Sequence, residues 1–528
     1  MPDLKAAIAA AQARVTDGSG RPPVGRWLLP AVGLTAFMVR IAPILANGSL
    51  RGVRGYDDGV YLAVAQRLIA GIVPYRDDVF LHPPGVAVAL APFAALANSW
   101  GDTWSLALAR VAFMVIGALN AMLIARILAR RGVLAAVVGG GAYALWGATI
   151  ATEQTMFLEP PIGLGLLIAL GALARSSPGS TGRPRPVASA LAIAGLALGV
   201  AVTFKIWVVL DVAVLGAVVL SRSGGRATAR WLMWCVLGAA PIVLPFLVLA
   251  PGRFWSDVVV VQAGRPLQTK GIADRLGAAH LASMLHTSAS GLLAAAIAAL
   301  LLAAVLGPLL VALRSGKRPA QWGDPVWWGV LAAVQLGALA VAPSYYTHYS
   351  SFVAPALCLL LGAGVGHLAA TLRARGGRWG RVGVGVVVVA STAAGLGLIW
   401  TRPPLPRTGR VDHSVLVEFA AAHECLWARN PSYLQVADAT ARQLRGRCPA
   451  SLDLVGTWLV LAGGGTVPGS TAKDLDGLIL TQLAGSDGAL LYARDPTQGL
   501  GPRSTAYLRS QFTARRTTGQ IQMWTRTG

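Results

Sequence analysis

The chain has 528 residues and a net charge of +23, yet only 13% of its residues are charged and 55% are hydrophobic. Its mean hydropathy is +0.60, and an average soluble domain carries about 25% charged residues, so the composition excludes an ordinary soluble protein and points to repeated passage through a bilayer. The excess positive charge does not indicate nucleic acid, because the arginines fall in short clusters between apolar runs, as cytoplasmic loops of a membrane protein do.

Residues 1–26 carry Lys5, Arg14, Arg21 and Arg26 and read as a cytoplasmic tail with no cleavable signal peptide. The first apolar run, 27–46, is expected to span the membrane, leaving a first outer loop at 47–103. Further spans are expected at 104–125, 133–150, 157–173, 187–203, 206–221, 231–250, 290–313, 326–342, 350–371 and 382–400. The loops that this order places in the cytoplasm hold Arg126, Arg130, Arg131, Arg175, Arg183, Arg185, Arg222, Arg226, Arg230, Arg314, Lys317, Arg318, Arg373, Arg375, Arg378 and Arg381, with Asp324 as their single acid. The opposite loops are mixed or carry acids: Asp57, Asp58, Asp77, Asp78, Asp102, Glu153, Asp257 and Asp274. That asymmetry predicts eleven helices with the N-terminus inside and the C-terminus outside. Residues 85–98 are apolar but short for a span, and read as an interfacial helix on the membrane domain.

From 403 to 528 the composition becomes that of a soluble domain, expected outside the cytoplasm and of α/β or α+β type. HSVLVEFAAAHECLWAR reads as a helix, and LDGLILTQL, GALLYARD and GQIQMWTR read as strands. Cys235 and Cys358 fall in apolar segments, whereas Cys425 and Cys448 are disulfide candidates if this domain is extracytoplasmic. No cysteine or histidine spacing suggests a metal site.

Acidic residues are scarce, 22 in all, yet Gly55–Gly85 holds four of them with three tyrosines and a histidine. Residues 56–75 read as a helix entered from a loop, with Asp57 and Tyr61 on one face. A helix dipole alone favours acids at this position, but two adjacent carboxylates beside a bilayer exceed what a cap requires. Asp77 and Asp78 follow a Pro-Tyr turn, and His82 precedes the rigid Pro83-Pro84 step. Glu153 reads as a loop charge, and Glu159 as a membrane-edge carboxylate of the kind that is paired or functional. Lys205 is the only charge between Arg185 and Asp211 and sits at the expected outer face; snorkelling is its alternative explanation. Tyr345, Tyr346, His348 and Tyr349 fit either a ligand site or an aromatic belt at the interface. The long outer loop 251–288 adds Arg253, Arg265, Lys270, Arg275, His280 and His286.

Asp57-Asp58 followed by Tyr61, then Gly71, Pro74-Tyr75 and His82-Pro83-Pro84, resembles the first outer loop of GT-C glycosyltransferases, in the branch of the protein O-mannosyltransferases and lipid A aminoarabinose transferases. The sequence departs from that pattern with Asp58 for Glu, His82 for Lys, Leu81 for an acid and Val60 for an arginine. Glu159-Pro160 and the Gly-rich run ending in Lys205 resemble later family features. The resemblance implies a GT-C fold, an inverting transfer from a polyprenyl-phosphate sugar to a glycan, lipid or protein acceptor, Asp57 as catalytic base with Asp58 beside it, and Lys205 on the donor phosphate, with His348, Tyr349, Tyr346 and Arg265 as further donor-site candidates. Tyr61, Tyr75, Asp77, Asp78, His82, Glu153 and Glu159 remain site candidates. No cofactor is required; Asp57, Asp58 and Glu153 converging would allow a divalent metal without demanding one. Two other classes fit the same composition: a transporter or flippase of lipid-linked sugars, which typically carries charges midway through its spans, as Arg40 and Asp211 are here, and a membrane anchor presenting the C-terminal domain.

Overall fold

The computed structural model describes residues 27–174, 188–266, 275, 306–374, 382, 383, 385, 386, 410–449 and 452–527. The N-terminal tail, most of the expected spans 290–313 and 382–400, and Lys270, His280 and His286 lie outside the described residues.

The apolar runs become helices. Helix α1 is Leu28–Ala46, interrupted only by Arg40 in its charge pattern, and α2, Asp57–Ile69, starts at the two acids. Then come α3 (Gly85–Trp100), α4 (Asp102–Leu128), α5 (Val133–Leu145), α6 (Gly147–Glu153), α7 (Glu159–Ala174), α8 (Ala188–Val202), α9 (Val208–Ser223) and α10 (Gly225–Leu249). After three short helical turns between Pro251 and Ala263, α11 (Asp324–Val341) and α12 (Ser350–Ala374) follow. Five of the described helices, α1, α4 extended to Arg131, α10, α11 and α12, are long and apolar enough to cross a membrane. The expected span 133–150 is a pair, α5 and α6, bent by 58°. Helices α7 and α8 are shorter apolar helices, and so is α3, which packs on α2 and α4.

Small residues set the closest helix approach. Helices α8 and α10 pack through Gly195, Gly199 and Gly238, and a Cβ at Gly199 would collide with the Cys235 carbonyl. Backbone-to-backbone proximity of this kind replaces the hydrophobic drive that is missing between apolar helices in lipid. Two buried polar pairs lie inside the bundle: Arg40 pairs with Glu153 and donates to the Ala36 and Ala144 carbonyls, and Gln335 donates to Asp211 at 2.8 Å, leaving Asp211 Oδ2 and Gln335 Oε1 without partners.

Residues 410–449 and 452–527, the expected C-terminal domain, hold α13 (His413–Ala421), β1 (Leu426–Ala428), α14 (Pro431–Val436), α15 (Thr440–Gly446), α16 (Leu454–Ala462), α17 (Leu475–Ala484), β2 (Gly488–Tyr492), α18 (Pro502–Gln511), β3 (Phe512–Thr518) and β4 (Ile521–Arg526). The sheet order is β1-β2-β4-β3, with β1 parallel to β2 and the other pairs antiparallel. Leu490 lies opposite Met523 in the centre. LDGLILTQL, expected as a strand, is the helix α17. Asp474 caps it through the Gly477 amide at 2.6 Å, and Leu478, Ile479 and Leu483 then share one buried face. The expected helix 413–429 stops at Ala421, and Leu426–Ala428 joins the sheet instead. Cys425 and Cys448 are bonded, with Cα atoms 5.3 Å apart.

This domain sits on α2 and on the start of α4. Asp438 accepts from the Thr103 amide at 2.8 Å, and Asp102 accepts from Gln66 at 2.7 Å and from the Ala441 amide at 3.3 Å. The Arg130 and Arg131 cluster lies at the opposite end of α4.

Candidate active site

The two acids that open α2 have different surroundings. Asp58 turns inward and is fully buried, accepting from Arg110 Nε at 3.0 Å and from the Arg110 terminal nitrogen at 2.5 Å. Arg110 also donates to the Leu50 and Gly52 carbonyls, both at 2.7 Å, so the pair pins the loop leading into α2. Asp58, expected beside Asp57 in the chemistry, is a structural tie. Asp57 is half-buried, and its carboxylate has no hydrogen-bond or ion-pair partner among the described residues. Loss of water around it pushes its pKa up to about 7, with Asp453, Asp58 and Glu159 adding to the rise and Lys205 opposing it.

Lys205 occupies the break between α8 and α9, where its ammonium is buried and bound to Glu159 Oε1 at 2.7 Å. It lies 4.0 Å from the Trp207 ring centroid and 4.1 Å from that of Tyr349, a cation–π enclosure. Glu159 stands in the first turn of α7, and its second oxygen is buried without a partner. His348 stacks on Phe157 at 4.1 Å and meets Tyr349 edge-on at 4.7 Å. Tyr346 is exposed beside His348, at 5.7 Å. The charge of Arg265 reaches His82, Lys205, Tyr349 and Asp453, and its Nε has no partner. The Asp57 carboxylate, itself without a partner, thus lies within electrostatic reach of the Lys205 ammonium and of Tyr61 and Tyr349.

The Tyr75 and His82 positions shape this centre. Tyr75 is fully buried, packs against Phe254 at 5.0 Å, and donates from its hydroxyl to the His82 carbonyl at 2.5 Å. The Tyr61 hydroxyl is 3.5 Å from His82 Nε2. Burial, then the charges of Lys205, Arg265 and His348, hold His82 well below the usual imidazole range, so it is neutral at physiological pH.

Three expected site residues are occupied elsewhere. Asp77 binds Arg76 at 2.7 Å and the Val73 amide at 2.7 Å, and Asp78 binds Arg67. Glu153 is not a loop charge: it ends α6, fully buried, where it pairs with Arg40 and accepts from the Tyr143 hydroxyl at 2.8 Å. Among the described residues no three His, Cys, Asp or Glu side chains gather as a metal-binding group, so Asp57, Asp58 and Glu153 do not converge. Sequence reasoning missed Asp453, whose carboxylate accepts from the Tyr56 hydroxyl at 2.9 Å. Its sequence signal, an Asp before the apolar run LVGTWLVLA, marks a helix cap and nothing more.

No family model matches the chain, and no curated protein matches it by sequence. Solved structures do match. ArnT from Cupriavidus metallidurans bound to undecaprenyl phosphate superposes with a TM-score of 0.61 at 15% identity, over 94% of this chain and 97% of that one. The oligosaccharyltransferase of Archaeoglobus fulgidus in its apo form superposes with a TM-score of 0.57 at 12% identity, over 89% and 70% of the two chains. The archaeal oligosaccharyltransferase AglB, from the same organism, in complex with an inhibitory peptide and a dolichol-phosphate gives 0.55 at 12% identity, over 79% and 63%. These structural neighbours are of the GT-C superfamily, and this chain shares their fold.

Proposed function

We propose that the protein is a membrane glycosyltransferase that moves a sugar from a polyprenyl phosphate onto an acceptor hydroxyl at the outer face of the plasma membrane, with residues 27–402 as the catalytic membrane domain and 403–528 as an extracytoplasmic domain. The observation that carries this reading is Asp57: a half-buried carboxylate without a partner, pushed to about 7, at the end of the fold where Lys205, Arg265 and an aromatic cluster gather. A general base works best with a pKa near the operating pH, and burial supplies that here. The GT-C neighbours, one of them bound to undecaprenyl phosphate and one to a dolichol-phosphate, support the choice of donor class.

In the reaction, Asp57 takes the proton of the acceptor hydroxyl as its oxygen bonds to the anomeric carbon. The bond from that carbon to the phosphate oxygen breaks, and its electron pair leaves with the polyprenyl phosphate. Lys205 offsets the charge that grows on the leaving oxygen, and Arg265 adds a second cation. Glu159 and the Trp207 and Tyr349 rings hold the Lys205 ammonium in place. A single displacement with one base inverts the anomeric centre. No metal is needed, because the leaving group is already a phosphate and the cations are supplied by side chains.

The test is turnover of radiolabelled undecaprenyl-phosphate-linked mannose, arabinose and aminoarabinose by the purified full chain, scoring transfer and hydrolysis. Activity on one donor that disappears in Asp57→Asn, while free undecaprenyl phosphate still binds, supports the assignment. Donor turnover that survives in Asp57→Asn refutes the base, and a panel with neither binding nor turnover refutes the class.

A further inference from the structure

The C-terminal domain grips one turn of the chain, the turn that carries Asp57. Ser432 Oγ donates to the Gly55 carbonyl at 2.8 Å and lies 3.2 Å from Asp58 Oδ1. Gln435 Nε2 donates to the Gly59 carbonyl at 2.8 Å. The Tyr56 hydroxyl donates to Asp453 Oδ1 at 2.9 Å across 397 residues of sequence. Approach is so close at Gly59 that a Cβ there would run into Ser432. Residues 55, 56, 58 and 59 are each tied to the domain, and Asp57 projects between them without a tie of its own. Asp453 is also half-buried, and the charges of Asp57 and Arg265 both reach it or are reached by it. A carboxylate that only capped α16 would need the Val455 amide, at 3.0 Å, and could face solvent.

We propose that Asp453 is a positioning residue of the reaction centre: through its hydrogen bond to Tyr56 the C-terminal domain holds the turn that presents Asp57, so the site is complete only with the two domains docked. The inference rests on the function proposed above. It assigns to residues 410–527 a part in the chemistry that neither a membrane anchor nor a passive brace would have.

The charge of Asp453 has a second consequence. Asp57 faces Asp453 from the C-terminal domain, Asp58 and Tyr61 from α2, Glu159 from α7, Lys205 from the α8–α9 link and Tyr349 from the turn before α12. Of these, Asp453 is the negative charge with the largest effect on Asp57. The Tyr56 hydroxyl and the Val455 and Gly456 amides all donate to Asp453 and favour its ionised form against burial.

Two kinds of variant separate geometry from charge, read on the undecaprenyl-phosphate sugar that the wild-type full chain turns over. Tyr56→Phe and Asp453→Ala break the hydrogen bond and are expected to lower kcat roughly tenfold to a hundredfold, with donor KM and binding of free undecaprenyl phosphate within about twofold. Asp453→Asn keeps an acceptor for Tyr56 and a good helix cap, so it is expected to rescue kcat to within about threefold while moving the acid limb of the kcat/KM profile down by roughly half to one pH unit. Losses of kcat that merely follow the amount of folded protein, measured by size exclusion and thermal unfolding, overturn the proposal. So do kcat values within twofold of wild type in both bond-breaking variants, or an acid limb unmoved in Asp453→Asn. Asp57→Asn in the same assay separates the two levels: if it is active the proposed function fails, and if it is inactive while the Asp453 and Tyr56 variants are unaffected only this inference fails.

Discussion

Replacing Asp57 by Asn should abolish turnover and at the same time make the protein more stable, by an amount that depends on pH. Asp57 is half-buried with no partner for its carboxylate, and its pKa is pushed from 3.8 to about 7. The folded state therefore holds this proton more tightly than the unfolded chain, so stability is lost as pH rises from about 4 and the loss is complete just above 7. The shift corresponds to ~4 kcal/mol at pH 8 and to under about 1 kcal/mol at pH 4. Asparagine never ionises, so it escapes the cost at every pH. The assay is thermal unfolding of the purified full chain in detergent at pH 4, 6 and 8, wild type against Asp57→Asn. The mutant should unfold roughly 5 °C higher at pH 8, with the gap closing toward pH 4. A mutant less stable than wild type at pH 8, or a gap that does not change with pH, would show that the carboxylate is satisfied in the folded state and would remove the physical basis for a base of raised pKa.

Other expectations follow from the same contacts. Asp58→Ala strands Arg110, whose side chain is fully buried, and should cost about 3–5 kcal/mol, seen as poor folding yield, whereas Asp57→Asn folds normally. Lys205→Met should lower kcat/KM at least tenfold and destabilise the chain by leaving Glu159 buried and unpaired; Lys205→Arg should not rescue it, because a planar guanidinium does not fit the compact enclosure between two rings. Activity should rise with pH through a limb near 7 as Asp57 loses its proton, measured as kcat/KM in a constant-ionic-strength buffer series. Replacing both Cys425 and Cys448 by serine opens a link between residues 23 apart and should lower stability by about 3 kcal/mol; thiol labelling of the unreduced protein should leave both sulfurs unmodified.

The readable parts of the sequence are those governed by local physics. Apolar run length gave the long helices α1, α4, α10, α11 and α12, because a bilayer demands that length of any single span. The adjacent acids at 57 and 58 marked the start of α2 because carboxylates favour a helix N-terminus. LDGLILTQL was not readable in this way. Its apolar residues fit either period, and the cap from Asp474 decided for a helix.

Which acid is free was beyond the sequence. Asp57 and Asp58 are neighbours with the same chemistry, and only the arrival of Arg110 from α4 neutralises one and leaves the other. Glu153 reads as a loop charge along the chain, yet it is bound to Arg40 inside the bundle, while Glu159 is bound to Lys205 at the site. Asp453 carries no motif, and it reaches the centre because the C-terminal domain docks on α2. Hydropathy and helix-end preferences act over a few residues and so can be read from the chain alone. The protonation and pairing of a carboxylate depend on charges brought together from distant segments, and the tertiary structure alone decides those.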